Sequence, residues 1–108
     1  MKAAVLHQYD TSLANPNFVV LEEVAEPKLV RSTEVIVRVG GAGVCRTDLH
    51  VIEGIWRQQV DVKLPYVMGH ENAGWVEEVG QGVEGFRKGD PVRHCTICTT
   101  VRSRVAQY

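Results

Sequence analysis

The sequence predicts a mostly β chain, a small and partly closed β-barrel with a single short helix. Three observations predict it. Short runs rich in apolar and β-branched residues recur along the chain. Turns rich in Gly and Pro separate them. Only one stretch, residues 46–53, has a helical pattern with a stop signal. Strands of this length between such turns are the signature of small barrels. With 44% hydrophobic residues in 108, the chain can bury one modest core and is not a disordered tail.

The elements follow in order. Residues 1–7 (MKAAVLH) are a short apolar strand. Residues 18–24 (FVVLEEV) form a second, set off by Asn15-Pro16-Asn17 before it and Glu26-Pro27 after it. In residues 34–39 (EVIVRV), alternation places Val35, Val37 and Val39 on one face and Glu34, Ile36 and Arg38 on the other. Gly40-Gly41-Ala42-Gly43 is expected to end that strand. The helix then runs over 46–53, with Gly54 in the position that closes helices. A loop is expected to Pro65, a strand over 74–79 (GWVEEV), a turn from Gly80 to Gly85, another at Gly89-Asp90, and a last strand around 91–93. No internal repeat, low-complexity tract or linker interrupts the chain.

Charge and cysteine usage exclude several classes. The net charge is −1 and the charges are interspersed, which gives no footprint for nucleic acid or an anionic membrane. The N-terminal apolar run before His7 is too short for a signal-peptide core, and no stretch is long enough to span a bilayer. Cys45, Cys95 and Cys98 are an odd, sparse set, which suits a reducing cytoplasm better than a disulfide framework.

Two stretches imitate a dinucleotide fingerprint. Gly80-Gln81-Gly82-Val83-Glu84-Gly85 matches G-x-G-x-x-G after a strand. That motif needs a helix N-terminus next, and Gly89 and Pro91 prevent one. Gly41-Ala42-Gly43 does open a helix, but Arg46 stands at the third glycine position. No Rossmann unit is expected in these 108 residues.

The stretch "GVCRTDLHVIEGIW" packs a thiol, a hydroxyl, a carboxylate and an imidazole into six positions, Cys45 to His50. Cys45 falls at the helix N-terminus, where the dipole and free amides favour a thiolate, the form that binds metal. His70, in "MGHENAGW", is a second candidate ligand. Glu71 follows it, but Gly74 stands where H-E-x-x-H needs its second His, so the zinc-protease motif is excluded.

These residues carry a resemblance. Gly69-His70-Glu71, Gly74, Gly80 and Val83 reproduce the signature of the zinc-dependent medium-chain alcohol dehydrogenases. "GVCRTDLH" is similar to that family's first ligand loop, and "VGQGVEGFRKGDPV" to the stretch after the signature. The likeness covers residues 1–93 and implies the family's N-terminal, GroES-like catalytic domain. It implies Cys45 and His70 as ligands of a catalytic Zn2+, with Glu71 beside the metal as an alternative ligand. It further implies Thr47 as acceptor of the alcohol's hydrogen bond, His50 as proton relay and Asp48 as the carboxylate orienting the ligand His. Arg46 would contact the cofactor pyrophosphate, and Trp56 would line the substrate pocket. Read from the residues alone, Thr47 and Asp48 also suit a helix cap, Arg46 and His50 a solvated face, and Trp56 a core.

The resemblance implies a full-length parent that oxidises a small alcohol, or reduces the matching carbonyl, with NAD or NADP, and that is a homo-oligomer. Family members are longer. They supply a third zinc ligand and a Rossmann domain beyond this stretch, so the isolated chain is expected to be inactive. After Arg93 the pattern breaks. Cys95 and Cys98 make one C-x-x-C where a four-thiolate lobe needs two. Residues 94–108 are therefore read as a divergent tail, expected to be poorly packed or ordered only by contact with another chain. Two other readings remain: a GroES-like co-chaperonin or assembly module, and a zinc-free reductase of the same superfamily. The first has no use for Cys45, Thr47, Asp48, His70 and Glu71, and the second lacks the metal ligands.

Overall fold

Residues Ala3, Val5 and Leu6 are the buried positions of the first strand, and Leu6 belongs to the first core. In the computed structural model, which describes residues 1–58, 62–95 and 105–107, the chain divides into two compact units. Each has its own sheet and its own core.

The first unit comprises Met1–Val24 and Val44–Gly69. Strand β1 (Lys2–Leu6) lies between β2 (Val20–Glu23) and β4 (Tyr66–Val67), antiparallel to both. The register pairs Lys2 with Glu23 and Val5 with both Val20 and Val67. Helix α1 (Arg46–Glu53) has the predicted bounds, and a 3-10 turn follows over Ile55–Gln58. Val51 and Ile52 of α1 bury against Leu6 of β1, with Tyr9, Leu49, Trp56 and Tyr66 around them. Strand β4 was not expected. Two residues are too few to show alternation, and only pairing with Val5 and Leu6 makes them a strand.

The second unit comprises Ala25–Gly43 and His70–Tyr108. Its sheet has the order β6-β5-β3-β7, with β3 over Val35–Gly43, β5 over Glu71–Val79, β6 over Pro91–Cys95 and β7 over Val105–Gln107. Val35, Val37 and Val76 form the core, with Val79, Val83 and Val92 packed against it. Along β5 burial alternates strictly at the start, placing Asn72, Gly74 and Val76 inward.

Several expectations are corrected. The four residues after Val39 do not end β3. They continue it, because Gly41, Ala42 and Gly43 pair with Ala73, Asn72 and Glu71. Ile36 is as buried as Val35 and Val37, so this part of β3 is covered on both faces, and the ladder shifts register between Ile36 and Val37. Glu34 is buried too. Its carboxylate accepts the N–H of Val30 at 2.8 Å and of Arg31 at 3.0 Å, which closes the turn before β3. Gly80 to Gly85 form a turn with no helix after it, as the rejected fingerprint requires. In the tail, Val105–Gln107 pair in parallel with Val35–Val37. Residues 96–104 lie outside the described residues, Cys98 among them. The strands belong to a domain of the expected mostly β kind. Among the described residues, however, they form two open sheets of three and four strands and do not close into a barrel.

Candidate metal centre

Cys45 is the N-cap of α1, with extended backbone angles (φ −131°, ψ −179°). Its Sγ accepts the N–H of Thr47 at 3.3 Å. In return, Asp48 Oδ2 accepts the N–H of Cys45 at 2.8 Å. This is a reciprocal capping box, with sulfur in the place usually held by a Ser or Thr hydroxyl. The far end of the helix is closed by Gly54, left-handed at φ 74°, whose N–H reaches the carbonyls of His50 and Val51. Eight residues held at both ends give the Cys45 side chain a fixed mounting.

His70 directly precedes β5. The β3–β5 ladder ends where Gly43 pairs with Glu71, so the chain leaves this sheet towards Cys45 and enters it from His70 at neighbouring positions. His70 and Asp48 are each only 5% exposed, whereas Cys45 is half-buried. Cys45 and Asp48 stand at the start of α1 in the first unit, and His70 stands in the second, one residue before β5. Buried imidazole and carboxylate groups need partners, because burial alone opposes charge. Glu71 is exposed, and its Oε2 comes within 3.0 Å of where a Cβ on Gly43 would stand.

The other predicted site residues lie on or just after the same helix. Arg46 is exposed, while Thr47 and His50 are half-buried and three residues apart, on one helical face. Trp56 packs against the Leu6, Val51 and Ile52 cluster, and its ring centre is 6.3 Å from that of His50. Its Nε1 is buried with no acceptor among the described residues. Tyr66 was not singled out from sequence, where nothing marks it beyond its place before the Gly69-His70-Glu71 stretch. Burial first, and then the charge of Asp48, push its phenol above the ordinary value of 10.0.

The donor chemistry suits one kind of ion. A thiolate sulfur and an imidazole nitrogen are the common zinc donors, and a carboxylate oxygen is the third. Calcium and magnesium prefer all-oxygen sets. No helix among the described residues is long and apolar enough to cross a membrane.

Comparison with known proteins gives the family. The family described as "Alcohol dehydrogenase GroES-like domain" matches residues 31–107. An alcohol dehydrogenase of Geobacillus stearothermophilus is 41% identical over 107 residues, which cover 91% of this chain and 29% of that protein. The crystal structure of an alcohol dehydrogenase from Aeropyrum pernix superposes with a TM-score of 0.72 at 49% identity, over 84% of this chain and 25% of that one. A cobalt- and zinc-bound thermostable alcohol dehydrogenase from Pyrobaculum aerophilum gives a TM-score of 0.64 at 33% identity, over 86% of this chain and 26% of that one. The chain thus spans under a third of the length of these relatives.

Proposed function

The chain belongs to the alcohol dehydrogenase GroES-like domain family, and from that premise we propose that it is the catalytic-domain portion of a zinc-dependent oxidoreductase that converts alcohols to aldehydes or ketones with NAD or NADP. The observation that carries the proposal is the Cys45 sulfur held as the N-cap of α1, in a chain that also carries the Gly69-His70-Glu71 stretch. Cys45 and His70 are assigned as ligands of a catalytic zinc, with Glu71 as an alternative one. Zinc, when bound, supplies Lewis acidity that makes an alcohol a stronger acid.

The remaining roles belong to the chain's own side chains. The Thr47 hydroxyl accepts the alcohol's hydrogen bond and passes the proton on. His50, one helical turn along the same face, carries it towards solvent. Asp48 is the carboxylate that orients the ligand His. Arg46, exposed at the first turn of α1, is free to meet a pyrophosphate. Trp56 walls the substrate pocket. The parent is proposed to be cytoplasmic and homo-oligomeric, with a small alcohol or carbonyl compound as substrate and no nucleic-acid or membrane partner. The 108 residues carry no dinucleotide fold in this reading, so the chain alone turns nothing over.

A chimera tests it. Joined to the remaining part of the Geobacillus relative, residues 1–93 should support alcohol-dependent reduction of a nicotinamide cofactor. Thr47→Ala should lower that rate by about 10²–10⁴-fold, the usual worth of a positioned proton acceptor. A zinc-loaded chimera whose rate is indifferent to Thr47→Ala would contradict the assignment. So would steady turnover by the isolated chain.

A further inference from the structure

Cysteine is not among the residues that cap helices well, a position led by Asn, Asp, Ser and Thr. A sulfur at the N-cap of an eight-residue helix therefore breaks a local rule, and such breaks concentrate at functional sites. Here the same side chain closes the helix and, under the zinc reading above on which this inference rests, serves as a metal ligand. Its orientation is set from both directions. The sulfur takes the Thr47 N–H at 3.3 Å, and the backbone N–H of Cys45 is held by Asp48 Oδ2 at 2.8 Å. Removing the carboxylate releases the N-cap residue itself, so the position of the sulfur is no longer fixed by the helix.

We propose that Asp48 is a positioning residue for Cys45: through the capping box it pins the N-cap backbone, and so presents the sulfur to the metal already oriented. This differs from orienting the ligand His by charge, and the two can be separated. A carboxamide oxygen can still accept the Cys45 N–H, but it carries no charge. Asp48→Asn should therefore keep the cap, whereas Asp48→Ala removes it. Partners that hold ligands in place are typically worth 10–100-fold in metal affinity.

The test titrates metal-free chain with zinc and with cobalt(II), in the unaltered protein and in both variants. Asp48→Ala should weaken binding by about 10–100-fold and alter the thiolate-to-cobalt charge-transfer band. Asp48→Asn should restore most of the affinity and the band. Asn as damaging as Ala, while the unaltered chain binds well, overturns the positioning role and leaves the zinc reading standing. Absence of metal binding by the unaltered chain overturns the zinc reading instead. The cap is checked without metal or a stable Ala variant: exchange of the Cys45 amide should stay protected in Asp48→Asn. If that amide exchanges as fast as an uncapped one in the unaltered chain, the capping box is not what holds Cys45.

Discussion

Cys45 separates two properties that usually coincide. As a cap it needs only an acceptor atom facing the first-turn amides, and Thr47 N–H supplies the donor. As a ligand it needs sulfur. Cys45→Ser should therefore keep α1, because a hydroxyl caps at least as well, yet lose thiolate coordination. Cys45→Ala should lose both, at about 0.5–2 kcal/mol of stability. Thermal unfolding of the two metal-free variants beside cobalt spectra checks this. Equal destabilisation by Ser and Ala would show that the sulfur is not acting as a cap. At this scale the sequence was informative about which residues matter and silent on how they are held. Cys45 and His70 stood out by type and by family likeness. A helix cap was one reading of Asp48, but that its partner is the Cys45 N–H, and that Glu34 is buried on two backbone amides, depend on backbone paths no spacing encodes.

At the scale of elements, α1 and the β3–β5 ladder do most of the positioning. The helix was legible to the residue because its stop signal, Gly54, is local; the capping box at Cys45–Asp48 emerges only in the structure. The ladder was only half legible. Gly40 to Gly43 read as the end of a strand because glycine disfavours strands, and only the pairing of Gly41, Ala42 and Gly43 with β5 continues it. Gly74 shows what that pairing demands. A Cβ there would lie 2.1 Å from the Arg38 carbonyl oxygen, a backbone atom that cannot swing aside. Gly74→Ala should thus cost at least the about 1–3 kcal/mol of ordinary overpacking. Because β5 begins next to His70, the loss should extend to metal affinity. Denaturant unfolding and zinc titration of the variant measure both, and an unfolding midpoint equal to that of the unaltered chain would contradict the close approach.

For the whole molecule, acidity and metal occupancy are the practical variables. Burial in β6 holds His94 below the ordinary imidazole value of 6.5. Folding therefore favours its neutral form, while the unfolded chain takes up a proton as pH falls through 6.5. Stability tied to this group is complete above 6.5 and declines below it until the folded value is passed. In metal-free protein, His94→Gln should narrow the difference in Tm between pH 7.5 and pH 5.5; an unchanged difference assigns the acid sensitivity elsewhere. Two open sheets, each with its own core, were not legible in advance, because turn spacing counts strands without saying which edges meet. The central claim is a zinc site on Cys45 and His70. Isothermal titration of metal-free chain with zinc tests it most directly, set against Cys45→Ala and His70→Ala. The account predicts one zinc per chain, bound less tightly as pH falls because both donors must shed protons, and lost in each variant. Affinity unchanged by both substitutions would contradict it.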